Sequence, residues 1–288
     1  MFRALCNPHG SNPCCYNNRC VDKSPDQCSC PDCYDIRRKL HADFATYVLD
    51  DPACSLTKYS TIGDVCRALT NIEITFIGDS LMDQLYLATI LLLKGGEDAL
   101  GITDPKCKGP LLYYPLCRRT VPGSVAGCNS TVRMAFHYKG DVVKIPDQLN
   151  IVKSMLGKPQ TVAVLGIGLH MDLNVKVINK SLIQPLLKLC HGAKWPKILW
   201  VNPMAPGLLK SPKFSKQNRK GVLFFNSEMK RLLMSGSNDN IAVVDTFAMT
   251  DDVVSYDGTH YGRALGEVKA GLLIQLIEGM RSRGWKKW

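Results

Sequence analysis

From Ile72 onward the sequence alternates short apolar, often β-branched runs with stretches of helical periodicity, and this alternation restricts the possible folds more than any other feature. Ile72–Ile77, Val132–Tyr138, Thr161–Leu165, Lys197–Asn202 and Ile241–Asp245 read as strands, and Leu81–Leu93, Ser181–Cys190, Lys220–Met234 and Gly262–Arg281 as helices. Strands without polar alternation are buried on both faces, and a strand–helix succession covers both faces when the strands run parallel. The expected architecture is therefore α/β, a parallel sheet in three layers. Pro185 demands a kink in the Ser181–Cys190 pattern or a helix start beside it. In such sheets chemistry gathers at the carboxyl ends of strands. Four strand ends carry polar or glycine-rich tips: Gly78-Asp79-Ser80, Gly166 to His170, Asn202-Pro203 and Asp245.

The first 70 residues differ in kind. They are rich in Cys, Pro, Asn and Asp, so the expected division is a Cys-rich segment over 1–70 and a sheet domain over 71–288. Of 13 cysteines, seven lie in the first 33 residues: Cys6, Cys14, Cys15, Cys20, Cys28, Cys30 and Cys33. That density reads as a disulfide framework stapling a region too small for its own core. The odd total leaves at least one cysteine free or paired between chains. A zinc site at Cys28-Ser-Cys30-Pro-Asp-Cys33 is the alternative, though the adjacent Cys14-Cys15 pair departs from a regular paired-CxxC pattern. No metal is expected.

Two N-glycosylation acceptors, Asn129-Ser-Thr131 and Asn179-Lys-Ser181, fit the same oxidising setting, so the expected location is secreted or in the secretory lumen. Met1 to Cys6 shows no apolar core of a signal peptide. The apolar stretch Leu85–Leu93 is too short to span a bilayer. With 36 Lys+Arg against 25 Asp+Glu, the net charge of +11 favours an anionic partner: nucleic acid, acidic glycan or membrane surface. Zinc-finger histidine spacing, an aromatic–basic RNA motif and a long basic helix are all missing, which argues against nucleic acid. The denser basic patches, Lys210–Lys220 and Arg281–Lys287, equally suit a solvated surface.

A serine at a strand end raises the matter of a base. A hydroxyl is a poor nucleophile until an imidazole, oriented by a carboxylate, removes its proton. Of six histidines, only His170 and His260 fall in strand-to-helix loops. In Asp257-Gly258-Thr259-His260 the i, i+3 spacing across a glycine turn can set the carboxylate beside Nδ1 and leave Nε2 to face a serine. Because the sheet is parallel, Ser80 and this loop share one edge. Structural readings stand beside this one. Ser80 could cap the Leu81 helix with Asp79 favouring its dipole, His260 could cap the last helix, His170 could be structural, and Asp245 reads as a turn or cap.

Gly78-Asp79-Ser80 after the first strand, with Asp257-x-x-His260 before the last helix, resembles the SGNH/GDSL hydrolase superfamily. Within it the chain is similar to the PC-esterase-type group, which includes the trichome-birefringence-like and sialic-acid O-acetyltransferases and the neurexophilin/PC-esterase-domain proteins. Gly78 to Met82 lacks the second glycine of the α/β-hydrolase elbow. The resemblance covers residues 71 to 288. It implies Ser80 as nucleophile, His260 as general base and Asp257 as its orienting acid, with no metal or organic cofactor. Two departures stand out. Asp83 and Gln84 replace the Arg-Asn-Gln run of the plant members, and Gly166 to His170 carries no side-chain amide where the superfamily has an oxyanion asparagine. The oxyanion would then fall to backbone N–H groups at Ser80 and Gly166 or Gly168, with His170. The implied function is an O-acyl esterase or O-acetyltransferase working through an acyl-serine on O-acetylated carbohydrate or acidic glycan. The alternative is the same scaffold without turnover, binding a glycan or protein.

Overall fold

The computed structural model describes the backbone of residues 4–6, 15–16, 19–20 and 33–35, and residues 40–49, 51, 53–211, 213–235 and 240–285. In the head, β1 (Ala4–Cys6) pairs antiparallel with β4 (Cys33–Asp35), and β2 (Cys15–Tyr16) with β3 (Arg19–Cys20). The cysteine side chains there, and so both the disulfide framework and its Cys28/Cys30/Cys33 zinc alternative, lie outside the described residues. The chain continues through α1 (Ile62–Ala68), β5 (Ile72–Gly78), α2 (Ser80–Lys94), α3 (Pro115–Arg118), β6 (Ser124–Gly127), β7 (Val132–Tyr138) and α4 (Ile145–Met155). It closes with β8 (Thr161–Gly166), α5 (Val175–Ile178), α6 (Gln184–Cys190), β9 (Lys197–Val201), α7 (Arg219–Met234), β10 (Ile241–Val244) and α8 (Arg263–Ser282).

Strands β5 to β10 form one sheet in the order β10-β9-β8-β5-β7-β6, parallel except for β6 at the edge. The period-2 side-chain alternation divides each strand between two cores. Ile74, Phe76, Val162, Val164, Leu199, Val201 and Val244 face a core shared with α1, α2 and α8. Ile77, Ala163, Leu165, Ile198, Trp200 and Ile241 face the other, filled by α4, α6 and α7. This is the expected three-layer α/β/α arrangement. Tyr59, Val65, Ala68 and Leu69 join the same core as α2 and α8.

Three elements carry too little local signal to read from sequence. β6 is a four-residue edge strand with one buried side chain, joined to β7 through Cys128, Asn129 and Ser130, all at positive φ. α1 is a short helix fixed by a Thr61/Asp64 capping box. α4 buries only Ile145, Gln148, Val152 and Met155. At Pro185 the helix neither breaks nor starts anew: residues 175–190 stay helical, with Ile183 and Gln184 both right-handed α, and a wide π-type turn over Asn179–Ile183 precedes the proline.

Disulfides join Cys66 to Cys128 and Cys107 to Cys117, while Cys54 and Cys190 are free thiols, one exposed and one buried. Among the described residues no helix is long and apolar enough to cross a membrane.

Candidate active site

Strand β5 lies between β7 and β8, so the loops leaving its two neighbours diverge and open a crevice at the carboxyl edge, a topological switch point. Gly78 ends β5 hard against β8: a Cβ there would sit 2.1 Å from the Gly166 carbonyl oxygen, so any side chain would force the strands apart. The backbone is extended at Asp79, whose carboxylate accepts the Leu81 N–H at 3.0 Å and caps α2. Ser80 is therefore the first helical residue rather than the cap, which corrects the structural reading of this serine.

The second half of the site comes from the loop before α8. His260 Nε2 lies 2.6 Å from Ser80 Oγ across a sequence separation of 180. Its Nδ1 lies 2.7 Å from Asp257 Oδ2. The other carboxylate oxygen accepts the backbone N–H groups of Thr259 and His260 at 2.8 and 2.7 Å, so Asp257 braces the loop with one oxygen and orients the ring with the other. A carboxylate only accepts, so in the neutral ring Nδ1 carries the proton and Nε2 turns its lone pair to the Ser80 hydroxyl. Gly258, at φ +82°, packs so closely that a Cβ would fall 1.9 Å from the Lys210 backbone nitrogen. α8 has no side-chain cap, and both His260 nitrogens are engaged elsewhere, so the capping alternative for His260 is not realised.

The electrostatics follow from burial. Burial alone would raise the Asp257 pKa, but the hydrogen bond and charge of His260 and the two backbone N–H groups outweigh it and hold the carboxyl below its ordinary range. Lys210 is a correction to the surface-patch reading: it is buried, and it donates to Thr259 Oγ1 at 2.8 Å. Burial pushes its pKa down to about 8 against the pull of Asp257, Asp79 and Asp172.

Further side chains surround this trio. Gln84, one turn beyond Ser80, points Nε2 at Tyr256 Oη, the Tyr261 carbonyl and the Tyr113 carbonyl, at 3.0, 3.2 and 3.4 Å. Tyr256 stacks between His260 and Tyr114, with ring centroids 5.8 and 4.6 Å away. Buried Arg118 pairs with Asp83 at 3.2 Å and donates to the Ser80 carbonyl at 3.4 Å. Burial pushes the Asp83 pKa up to about 6, outweighing the attraction of Arg118 and His260. The two positions that depart from the plant pattern, Asp83 and Gln84, thus tie the first turn of α2 to the loops around it.

On the other wall, Gly140 follows β7 and is buried. A Cβ there would lie 2.9 Å from Asp79 Cβ and 3.1 Å from His170 Cδ2. Its Lys-Gly-Asp context directly after a strand is the local sequence signal for this position. Gly166 packs under Met82, and Gly168, at φ +154°, backs onto Phe225. His170 stands on a 3-10 turn with Nε2 3.3 Å from Tyr138 Oη and Nδ1 3.7 Å from Asp141. Asp245 is a turn residue, accepting the Phe247 N–H at 3.0 Å. Among the described residues no group of three or more His, Cys, Asp or Glu could hold a metal ion.

Fold and site together define a parallel α/β protein with a serine–histidine–aspartate hydrogen-bonded chain at its switch-point crevice. No protein-family model and no curated protein matches the sequence. Among solved structures, the chain is similar to a member of the lipolytic protein G-D-S-L family from Veillonella parvula DSM 2008, at 15% identity and a TM-score of 0.43, over 71% of this chain and 97% of that one. It is also similar to a carbohydrate esterase family 3 protein from Talaromyces cellulolyticus, at 15% identity and a TM-score of 0.41, over 72% and 99%.

Proposed function

We propose that the chain is an SGNH-type serine esterase or O-acyltransferase that forms an acyl-serine on Ser80. The observation that carries this reading is the unbroken line from Asp257 through His260 to Ser80 Oγ, with contacts of 2.7 and 2.6 Å. Ser80 Oγ bonds to the acyl carbon as its proton passes to His260 Nε2, and that proton leaves with the alkoxy group as the ester C–O bond breaks. Water or a sugar hydroxyl then attacks the acyl-serine, gives its proton to Nε2, and releases the acid or the transferred ester. Ser80 recovers its proton. Asp257 holds the ring and stabilises the imidazolium between the two steps.

The developing oxyanion falls to N–H groups: Ser80 at the helix start, where first-turn N–H groups lack intrahelical partners, and the backbone of Gly140, Gly166 or Gly168 on the facing walls, with His170 beside them. An O-acetylated carbohydrate or acidic glycan is the substrate class that suits the +11 charge and the tyrosines beside His260. Two disulfides within the packed unit support an oxidising, secretory setting.

Purified protein is expected to release p-nitrophenol from p-nitrophenyl acetate and to take up a fluorophosphonate at Ser80. Ser80→Ala is expected to do neither. Equal rates for the two proteins would remove the catalytic assignment. The second reading, a binding module without turnover, is favoured by the lack of a side-chain amide between Gly166 and His170, and an unlabelled serine in the wild-type protein would select it.

A further inference from the structure

Beneath the crevice, α8 carries Lys269, only 5% exposed. The hydrogen bond described for its ammonium goes to Met204 Sδ at 3.0 Å, a weak acceptor. A buried ammonium is costly unless an opposite charge lies near it. Asp79, 2% exposed, lines the same small cavity as Lys269, and so does Asn202, also 2% exposed.

The Asn202 amide is not free to flip. Trp200 Nε1, which only donates, bonds Asn202 Oδ1 at 3.1 Å. The amide nitrogen must therefore face away from the indole, and among the described residues it finds no hydrogen-bond partner. The cavity measures about 10 Å³, at the lower edge of the ~10–15 Å³ that admits one water. An anion there would be repelled by Asp79, and a cation by Lys269 and the amide N–H. A water suits all three groups, accepting from Asn202 Nδ2 and Lys269 Nζ and donating to the Asp79 carboxylate.

We propose that Lys269, Asn202 and Asp79 form a buried, water-bridged charge pair that fixes the start of α2, making Lys269 a positioning residue for Ser80. Asp79 caps the Leu81 N–H, so a displaced carboxylate rotates the first turn and Ser80 Oγ with it. Burial pushes the Lys269 pKa down to about 8 against the attraction of Asp79, and burial raises the Asp79 pKa against the Leu81 N–H and the neighbouring cationic groups. The inference rests on the esterase reading only for the role it gives Ser80.

The test is a double-mutant cycle of Lys269→Met and Asp79→Asn, read by melting temperature and by the rate of fluorophosphonate labelling. Met keeps the length of the lysine stem, and Asn keeps the helix cap. Each single change leaves one buried ionisable group without its partner and is expected to lower the melting temperature and to slow labelling about tenfold. The double mutant leaves none and is expected to recover to within about threefold of wild type, a coupling of the size neighbouring groups show. Additive losses would overturn the charge pair. A high-resolution crystal structure is expected to show a solvent peak within about 3.2 Å of Asn202 Nδ2, and its lack would overturn the bridge. If wild-type Ser80 takes up no label, the esterase reading fails while the melting cycle still decides the pair.

Discussion

Replacing Gln84 by leucine tests whether the site is held together from below. Gln84 is 4% exposed and sits one turn past Ser80 on α2, and its amide N–H groups bind three acceptors that belong to the loops carrying Tyr113 and His260. An amide nitrogen has two protons, so the leucine loses two neutral hydrogen bonds at about 1 kcal/mol each. The Tyr113 carbonyl keeps the Tyr256 hydroxyl at 3.0 Å, which limits the penalty there. A loss of about 2 kcal/mol corresponds to a fall of about 4–8 °C in melting temperature for a domain of this size. The catalytic effect is expected to exceed the thermal one, because a loop shift near 1 Å can cost on the order of 10²-fold in rate. Calorimetry and p-nitrophenyl acetate kinetics would be run on the same preparation, with kcat expected to fall about 10- to 100-fold and KM to change little. A variant that melts within about 1 °C of wild type and keeps its kcat would refute the reasoning.

Asp257→Asn keeps the shape but reverses the hydrogen-bonding preference at Nδ1, and a fall of about 10⁴ in kcat is expected in the ester assay. Asp83, with its pKa raised to about 6 by burial, binds a proton more tightly in the folded chain than in the unfolded one. Its contribution to stability is therefore present below pH ~4 and lost as pH rises through 6, at most about 3 kcal/mol, and urea melts of Asp83→Asn should flatten that part of the curve. Removing the Cys66–Cys128 bridge, which spans 62 residues, is expected to cost about 4 kcal/mol by the loop-closure relation, and removing Cys107–Cys117, which spans 10, about 3. Denaturant midpoints of the two serine double mutants would check that order.

Much of the sheet was legible because its strands are buried on both faces, and such strands need few polar residues. β9 and β10 each end one residue earlier than the sequence pattern suggests; the Asn202 N–H still bonds the Val244 carbonyl at 3.0 Å, while Asp245 turns to accept the Phe247 N–H. The edge strand β6 was not legible, because one buried valine in Ser-Val-Ala-Gly makes no pattern. At the site, the chain order of Ser80, Asp257 and His260 could be read, and the structure brings these three side chains within hydrogen-bond distance. The supports could not be read. Gln84, Arg118 and Lys269 acquire their roles through partners 29 to 177 residues away, in contacts that only tertiary packing creates. Lys210 shows the converse: a lysine in a basic run reads as surface, yet folding buries it against Thr259.

The long separation between Ser80 and His260 also bears on how such a protein is made. During synthesis the alcohol leaves the ribosome well before the imidazole that would activate it has been translated. A nascent or prematurely terminated polypeptide would thus carry an inert serine, and reactivity toward esters would arise only once the closing helix has docked beside the one that begins at Ser80.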